Sequence, residues 1–268
     1  MGKKILLEFS ALIALAGGIW LLFYFFPLFP DKTLTGYPVE QEEKLGTVLM
    51  KNLTTSETII HTPPLDSALQ IIFDRLMTAL GTTEYDYQLI VVSNGEVNAF
   101  ALPGGHLVIC SGLIEFCESP EELAAVLSHE IGHVENRDIL VRLLKDFGMA
   151  ILLSGSAGSD GTLIAEITKT AVSTSFDRKQ EELADRRGMD LLIRAKINPR
   201  VVAAFFRRLS REKGTYDKSV EMLMTHPNNN SRIKASLEYP LPADFQPDSL
   251  NLSWNRVKES LSTYAPVP

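Results

Sequence analysis

Ser119-Pro120-Glu121-Glu122-Leu123-Ala124-Ala125-Val126-Leu127-Ser128-His129-Glu130-Ile131-Gly132-His133 is the stretch on which the reading of this chain turns. Ser119 can cap a helix by accepting a backbone N–H, Pro120 suits the first helical position, and Glu121 and Glu122 favour the positive end of the helix dipole. A helix therefore begins here. Leu123, Ala124, Val126 and Leu127 give it a buried face. His129 and His133, four apart, lie one turn above each other, so both rings can reach one metal ion. Glu130 projects beside them, where it can take a proton from a water that the metal acidifies. Chance is a poor explanation: with 5 His and 20 Glu in 268 residues, a shuffled chain would hold about 0.007 copies of this pattern.

A catalytic zinc takes three protein ligands and keeps one open position, so a third ligand must come from elsewhere. His133 is followed by Val134-Glu135-Asn136-Arg137-Asp138, which lacks the His-x-x-Gly-x-x-His continuation that would supply one locally. Downstream, Phe176-Asp177-Arg178-Lys179-Gln180-Glu181-Glu182-Leu183-Ala184-Asp185 offers Glu181 and Asp185 on one helix face. Glu181 has the chemistry of a zinc ligand. Asp185, one turn on, can accept the free N–H of a ligand His and fix its tautomer. Ala184 is small enough to let the two helices approach closely. An acidic pair alone is equally a solvated face; the His pair is what gives it meaning.

Working outward, Gln41 to Leu53 and Pro64 to Leu80 show helical spacing, the second with Leu65, Leu69, Ile72, Phe73, Leu76 and Leu80 on one side. Gln88 to Val92 reads as a strand, Ser93-Asn94-Gly95-Glu96 as a turn and Val97 to Leu102 as its hairpin partner. After Pro103-Gly104-Gly105, His106 to Cys110 adds a third strand. From Ser119 onward the chain reads as helix, broken at Gly158-Ser159-Asp160-Gly161, Asn198-Pro199 and His226-Pro227. Phe147 to Gly158 is apolar but, at 12 residues, too short to span a membrane, and reads as core helix running into a loop. Cys110 and Cys117 read as two small core thiols, with a disulfide as the alternative. His61 and His106 lack partner motifs and are taken as structural or exposed.

The first 30 residues contain 21 apolar ones and three charges, Lys3, Lys4 and Glu8. Phe9 to Phe29 is 21 residues without a charge, the length of a membrane-spanning helix. It exceeds a signal-peptide core, and Lys3 and Lys4 before it place the N-terminus in the cytoplasm. The expectation is an uncleaved anchor in the inner membrane, single pass, with the remaining domain periplasmic. That remainder has a net charge of −8, the chain's −7 less the lead-in's +1, which argues against nucleic acid as a partner. Arg207, Arg208, Arg211 and Lys213 form the best basic patch, read as a solvated helix face.

Four ordered motifs resemble the HtpX/BepA-type zinc metallopeptidases, relatives of the Oma-type and CAAX prenyl proteases: His129 to His133; Glu181-x-x-Ala184-Asp185; Asn98-Ala99-Phe100-Ala101 with Pro103-Gly104-Gly105; and Thr225-His226-Pro227 with Arg232. The resemblance covers roughly Thr62 to Leu237. It implies a gluzincin fold of class α+β: a mostly helical domain with a small antiparallel sheet of about three strands, preceded by one transmembrane helix. It implies one zinc ion held by His129, His133 and Glu181, with Glu130 as base and Asp185 behind the ligands. It also implies that Asn98, Ala99, Phe100 and Ala101 border the cleft and pair with an extended substrate. By resemblance His226 faces the zinc, either donating to the developing oxyanion or occupying the open position at rest, and Arg232 supports it or the oxyanion. Read from the residues alone, His226-Pro227 is equally a surface turn.

The expected organisation is an anchor at 1–30, a linker with a first helix at 31–61, a zinc metallopeptidase domain at 62–237 and a Pro-rich tail at 238–268. Relatives carry further membrane helices or a repeat domain; this chain has neither pattern, so no protein partner follows. The expected activity is zinc-dependent endopeptidase cleavage of polypeptide, with misfolded or unassembled cell-envelope proteins as the substrate class. Two rivals stay open: a membrane-tethered chaperone or adaptor with a structural zinc, and a zinc amidase acting on cell wall.

Overall fold

The apolar spacing at both ends of the N-terminal half produces two helices, α1 (Val39–Ser56) and α2 (Pro63–Leu80). Helix α2 starts where Thr62 accepts Leu65 N–H, with proline in its first turn, and buries Leu65, Leu69, Ile72 and Leu76. Three strands follow, β1 (Gln88–Val92), β2 (Ala99–Leu102) and β3 (His106–Cys110). The remaining elements are α3 (Ser111–Phe116), α4 (Pro120–Glu135), α5 (Asp138–Phe147), α6 (Gly161–Val172), α7 (Arg178–Arg194), α8 (Val201–Glu212), α9 (Asn229–Glu238) and α10 (Trp254–Ser262). This computed structural model describes residues 17–18, 37–148, 151, 161–212, 222, 225–226 and 229–263, and the architecture from Val39 onward is α+β.

The sheet differs from the expected antiparallel hairpin. Its order is β1-β3-β2, with β1 parallel to β3 and β2 antiparallel to it, so the sheet is mixed. The Asn94-Gly95 turn does not join paired strands. Instead, Asn94 O accepts Gly112 N–H at 2.9 Å, and the connection crosses the end of β3 onto Gly112, where a side chain would meet the Gly95 carbonyl. All five residues of β3 are buried. β3 pairs along its length with both neighbours, and this long-range pairing outweighs the local turn signal.

Helix α4 passes through the middle of the domain, and every residue from Glu122 to Val134 is buried. Its most extensive neighbour is α7, and β2 packs on another side. Two glycines make the α4–α7 approach possible. A Cβ on Gly132 would lie 2.7 Å from the Ala184 carbonyl oxygen, and one on Gly188 would lie 3.1 Å from His129 N. Cys110 and Cys117 are buried thiols not joined in a disulfide, as expected.

Among the described residues no helix is long and apolar enough to cross a membrane. The expected anchor, apart from residues 17 and 18, and most of the Phe147–Gly158 segment lie outside those residues. The region read as a Pro-rich tail contains α10 and lies on the domain: Trp254 is buried and its indole N–H donates to Cys117 O at 2.8 Å, while Leu250 N–H donates to Glu121. Within the basic patch, Arg207 and Arg211 are exposed as expected and Lys213 lies outside the described residues. Arg208 departs from the pattern. It turns inward to Glu122, with Nη1 and Nη2 at 2.9 and 2.5 Å, and lies 4.6 Å over the Phe116 ring, because buried Glu122 needs a cation.

Candidate metal centre

Helix α4 begins as its sequence dictates: Ser119 accepts Glu122 N–H and Pro120 opens the first turn. Ten residues on, this sets His129 and His133 on one face with their Nε2 atoms 3.1 Å apart. Helix α7 begins with an Asp177–Gln180 capping box, which places Glu181 in its first turn against that face. Glu181 Oε1 lies 3.5 Å from His133 Nε2, and Oε2 lies 3.7 Å from His129 Nε2. His226 comes in from the segment before α9, with Nδ1 2.8 Å from Glu181 Oε1 and 3.2 Å from His129 Nε2. All four side chains are buried, and their donor atoms lie within 4.8 Å of one another.

Three imidazole nitrogens and a carboxylate are the donor set of a zinc site, and tetrahedral bonds of about 2.0–2.1 Å separate ligand atoms by about 3.3 Å. The observed separations bracket that value. Glu181 Oε2 and Glu130 Oε1 are buried without hydrogen-bond partners, which costs free energy unless an ion or polar ligand compensates. The donor set therefore fits a zinc ion.

The outer partners are as informative. His129 Nδ1 lies 2.9 Å from Asp185 Oδ1, and His133 Nδ1 lies 2.8 Å from Asp138 Oδ2. The His133–Asp138 hydrogen bond directs an N–H away from the cluster and turns Nε2 into it, whereas His129 Nδ1 faces both Asp185 and, at 3.0 Å, Arg232 Nη2. Asp185 has the place the sequence suggested. Asp138 is the one the sequence reading passed over; an Asp five residues beyond the motif was the available signal. Arg232 contacts the outer carboxylate, with Nε 3.0 Å from both Asp185 oxygens and Nη2 2.7 Å from Oδ1, and it also reaches the cluster, with Nη2 3.0 Å from His129 Nδ1 and Nη1 3.6 Å from Glu181 Oε2. Its guanidinium lies over the Phe206 ring at 4.2 Å. The reason is electrostatic, since half-buried Asp185 is the nearest carboxylate able to take a two-pronged contact.

Glu130 stands on the other side of the cluster, with Oε1 3.6 Å from His226 Nε2. Burial raises its carboxyl above the ordinary range. Burial, with Arg232 nearby, holds His129 well below its ordinary value. For His133 burial works in the same direction, but hydrogen bonds to Asp138 and Glu181 overcome it and raise the ring to about 9. Burial opposes ionisation of Glu181, yet His226 and His133 outweigh it and push that carboxyl far down. Phe176 stacks on His133 with centroids 3.9 Å apart. Asn98 and strand β2 are fully buried. Phe100 and Ala101 line a small cavity with Glu130, Phe176, Thr225 and His226, under the end of α6. His61 is exposed and His106 is buried away from the cluster, with Nδ1 unpartnered.

The model of peptidase family M48 matches residues 63–239, about two thirds of the chain. The chain belongs to this family. Similar M48-type proteins include the beta-barrel assembly-enhancing protease of Yersinia pestis, 30% identical over 212 residues, and that of Escherichia coli K12, 28% identical over 210; each alignment covers 73% of this chain and 43% of the relative. The mitochondrial metalloendopeptidase OMA1 of Schizosaccharomyces pombe is 26% identical over 171 residues, 63% of this chain and 51% of that protein. The chain thus spans less than half the length of the assembly-enhancing proteases it matches. The matched region contains every residue of the cluster and both outer carboxylates, whereas α1 and α10 lie outside it.

Proposed function

We propose that this chain is a zinc-dependent endopeptidase, with His129, His133 and Glu181 as ligands and Glu130 as general base. The observation that carries the reading is Glu130: a buried carboxylate with an unpartnered oxygen, beside a four-donor cluster, has no structural use there. A zinc ion in this cluster supplies Lewis acidity to the scissile carbonyl and lowers the pKa of water towards ~7. Glu130, its carboxyl raised by burial, accepts the proton of the attacking water and returns it to the leaving amine. Asp185 and Asp138 hold His129 and His133 in the tautomers that aim Nε2 inward, and Arg232 holds Asp185. His226 stands as a fourth donor in this arrangement and, once it gives way to substrate, donates to the developing oxyanion. The edge of β2, from Asn98 to Ala101, receives the extended substrate when the cover over it opens.

For the substrate we propose misfolded or unassembled cell-envelope polypeptides, in line with relatives named for β-barrel assembly, reached from an inner-membrane anchor at 1–30 on the periplasmic side. The decisive experiment is Glu130→Gln: it retains zinc and loses casein cleavage by 10²-fold or more. Unchanged cleavage would sink the assignment. One observation favours a structural zinc instead, since His226 completes a four-ligand set of the kind closed sites use. His226→Ala separates the two readings, because a catalytic site keeps its metal and its three-ligand core, whereas a structural clip loses affinity and the fold loosens.

A further inference from the structure

Outside the family-matched region, on α1, sits Glu42, a buried acid with an exposure of 1%. Its Oε2 receives Arg137 Nε at 2.8 Å, Arg137 Nη2 at 2.7 Å and Tyr85 O–H at 3.1 Å. Helix α1 is seated firmly where it presents this group. A side chain on Gly46 would meet the Pro103 carbonyl oxygen, and one on Gly104 would meet the Glu43 Cα at 2.6 Å, so α1 and the β2–β3 turn touch through backbone. The carboxylate is therefore a fixed point within the domain.

Asn136 and Arg137 lie between α4 and α5, and the break falls at Arg137, which is in a left-handed conformation, φ 58° and ψ 29°. Residues with a Cβ adopt this conformation at a cost, and a right-handed value would let α4 continue into α5 as one helix. The next residue is Asp138, whose Oδ2 faces His133 Nδ1 at 2.8 Å and whose Oδ1 receives Gln180 Nε2 at 3.2 Å. The aim of Asp138 depends on the break at Arg137. The break, in turn, is held by a guanidinium bound through two nitrogens to Glu42.

We infer that Glu42 is a positioning residue for the metal centre: by clamping Arg137 it fixes the left-handed turn that directs Asp138 onto His133. It touches neither substrate nor ligand and acts from 87 residues before the nearest ligand, His129. The inference rests on the reading of His133 as a zinc ligand.

The test is a cycle on the full chain, with the zinc dissociation constant measured by competition against a chromogenic chelator and the melting temperature of the metal-free form followed in parallel. Asp138→Asn weakens zinc about 10- to 100-fold, as loss of an outer partner does. Glu42→Gln, which keeps the shape and the Tyr85 contact, weakens it about 3- to 10-fold, and the double variant binds as Asp138→Asn alone. Zinc affinity of Glu42→Gln within twofold of wild type would overturn the inference. So would a double variant weakened by the product of the two single effects, because Glu42 would then act independently of Asp138. A loss confined to the melting temperature is the signature of a purely structural ion pair and also overturns it. Should Glu42→Gln not fold, Arg137→Gly serves: glycine accepts the left-handed turn without strain, so the fold survives while the clamp is gone, and zinc is again expected to weaken. Wild-type affinity in Arg137→Gly overturns the inference. His133→Ala is the control that distinguishes failures, since unchanged zinc binding there means that the ligand reading, rather than the clamp, is wrong.

Discussion

Gly132, the fourth residue of the His129–His133 motif, is the point at which α4 and α7 meet backbone to backbone, and Gly132→Ala should damage the metal site more than the fold. The added Cβ would lie 2.7 Å from the Ala184 carbonyl oxygen and 3.0 Å from its Cα, where ordinary contact begins at 3.4 Å. Both atoms belong to a helix interior, so no rotamer change relieves the clash, and α7 must retreat by about 0.7 Å, the difference between 2.7 and 3.4 Å. Overpacking of this kind costs ~1–3 kcal/mol. Alanine recovers ~1 kcal/mol of helix propensity over glycine. The net change in stability is therefore small, ~0–2 kcal/mol. The site is less forgiving, because His129 and His133 ride on α4 while Glu181 and Asp185 ride on α7, and such constellations tolerate only about 0.5 Å of displacement. Zinc affinity is expected to fall at least ~10-fold, as loss of an aligned outer partner does, with casein cleavage falling alongside, while the melting temperature moves by a few degrees. Chelator competition, differential scanning calorimetry and a cleavage assay read the three quantities. Gly95→Ala, whose Cβ would have no neighbour within 4 Å, is the matched control. Wild-type zinc affinity in Gly132→Ala would show that the helix approach does not set the ligand geometry.

Asp185→Asn should lower zinc affinity ~10- to 100-fold, because His129 Nδ1 then faces a neutral amide instead of a carboxylate; an unchanged dissociation constant would remove Asp185 from the site. Zinc should bind with release of about one proton at pH 7, since His133 is raised to about 9 in the metal-free form and must be neutral to ligate. Apparent affinity then rises about tenfold per pH unit up to about pH 9 and levels off above it, which calorimetry in buffers of different ionisation enthalpy checks. Trp254→Ala should cost ~3–5 kcal/mol, as for other buried aromatic truncations, and lower the melting temperature although it lies outside the family-matched region. A thiol reagent should find neither Cys110 nor Cys117 in the folded protein and both after denaturation; burial drives the Cys117 thiol far above its ordinary range.

What periodicity encodes was readable in the chain. Ser119 and Pro120 fix the start of α4, the four-residue spacings of His129/His133 and Glu181/Asp185 put each pair on one helix face, and the apolar rows of α1 and α2 declare their inner sides. What depends on a backbone dihedral or on distant packing was not. Asp138 reaches His133 only because Arg137 is left-handed, and an arginine carries no signal for that conformation. Asn94-Gly95 is a strong local hairpin signal, yet β3 pairs with both β1 and β2 and separates them. Arg208 looked like a surface charge but is drawn to Glu122, and the contact of Arg232 with Asp185 was likewise not readable, because only the tertiary fold brings each carboxylate near its arginine.

The helix that carries the histidines has no wet side, and the four donor side chains are 0–5% exposed. An ion held there cannot meet a chelator until part of the domain opens. Demetallation should therefore proceed at a rate set by that opening, levelling off as chelator concentration rises, so that the protein keeps its metal through scarcity on a timescale governed by its own breathing rather than by equilibrium affinity.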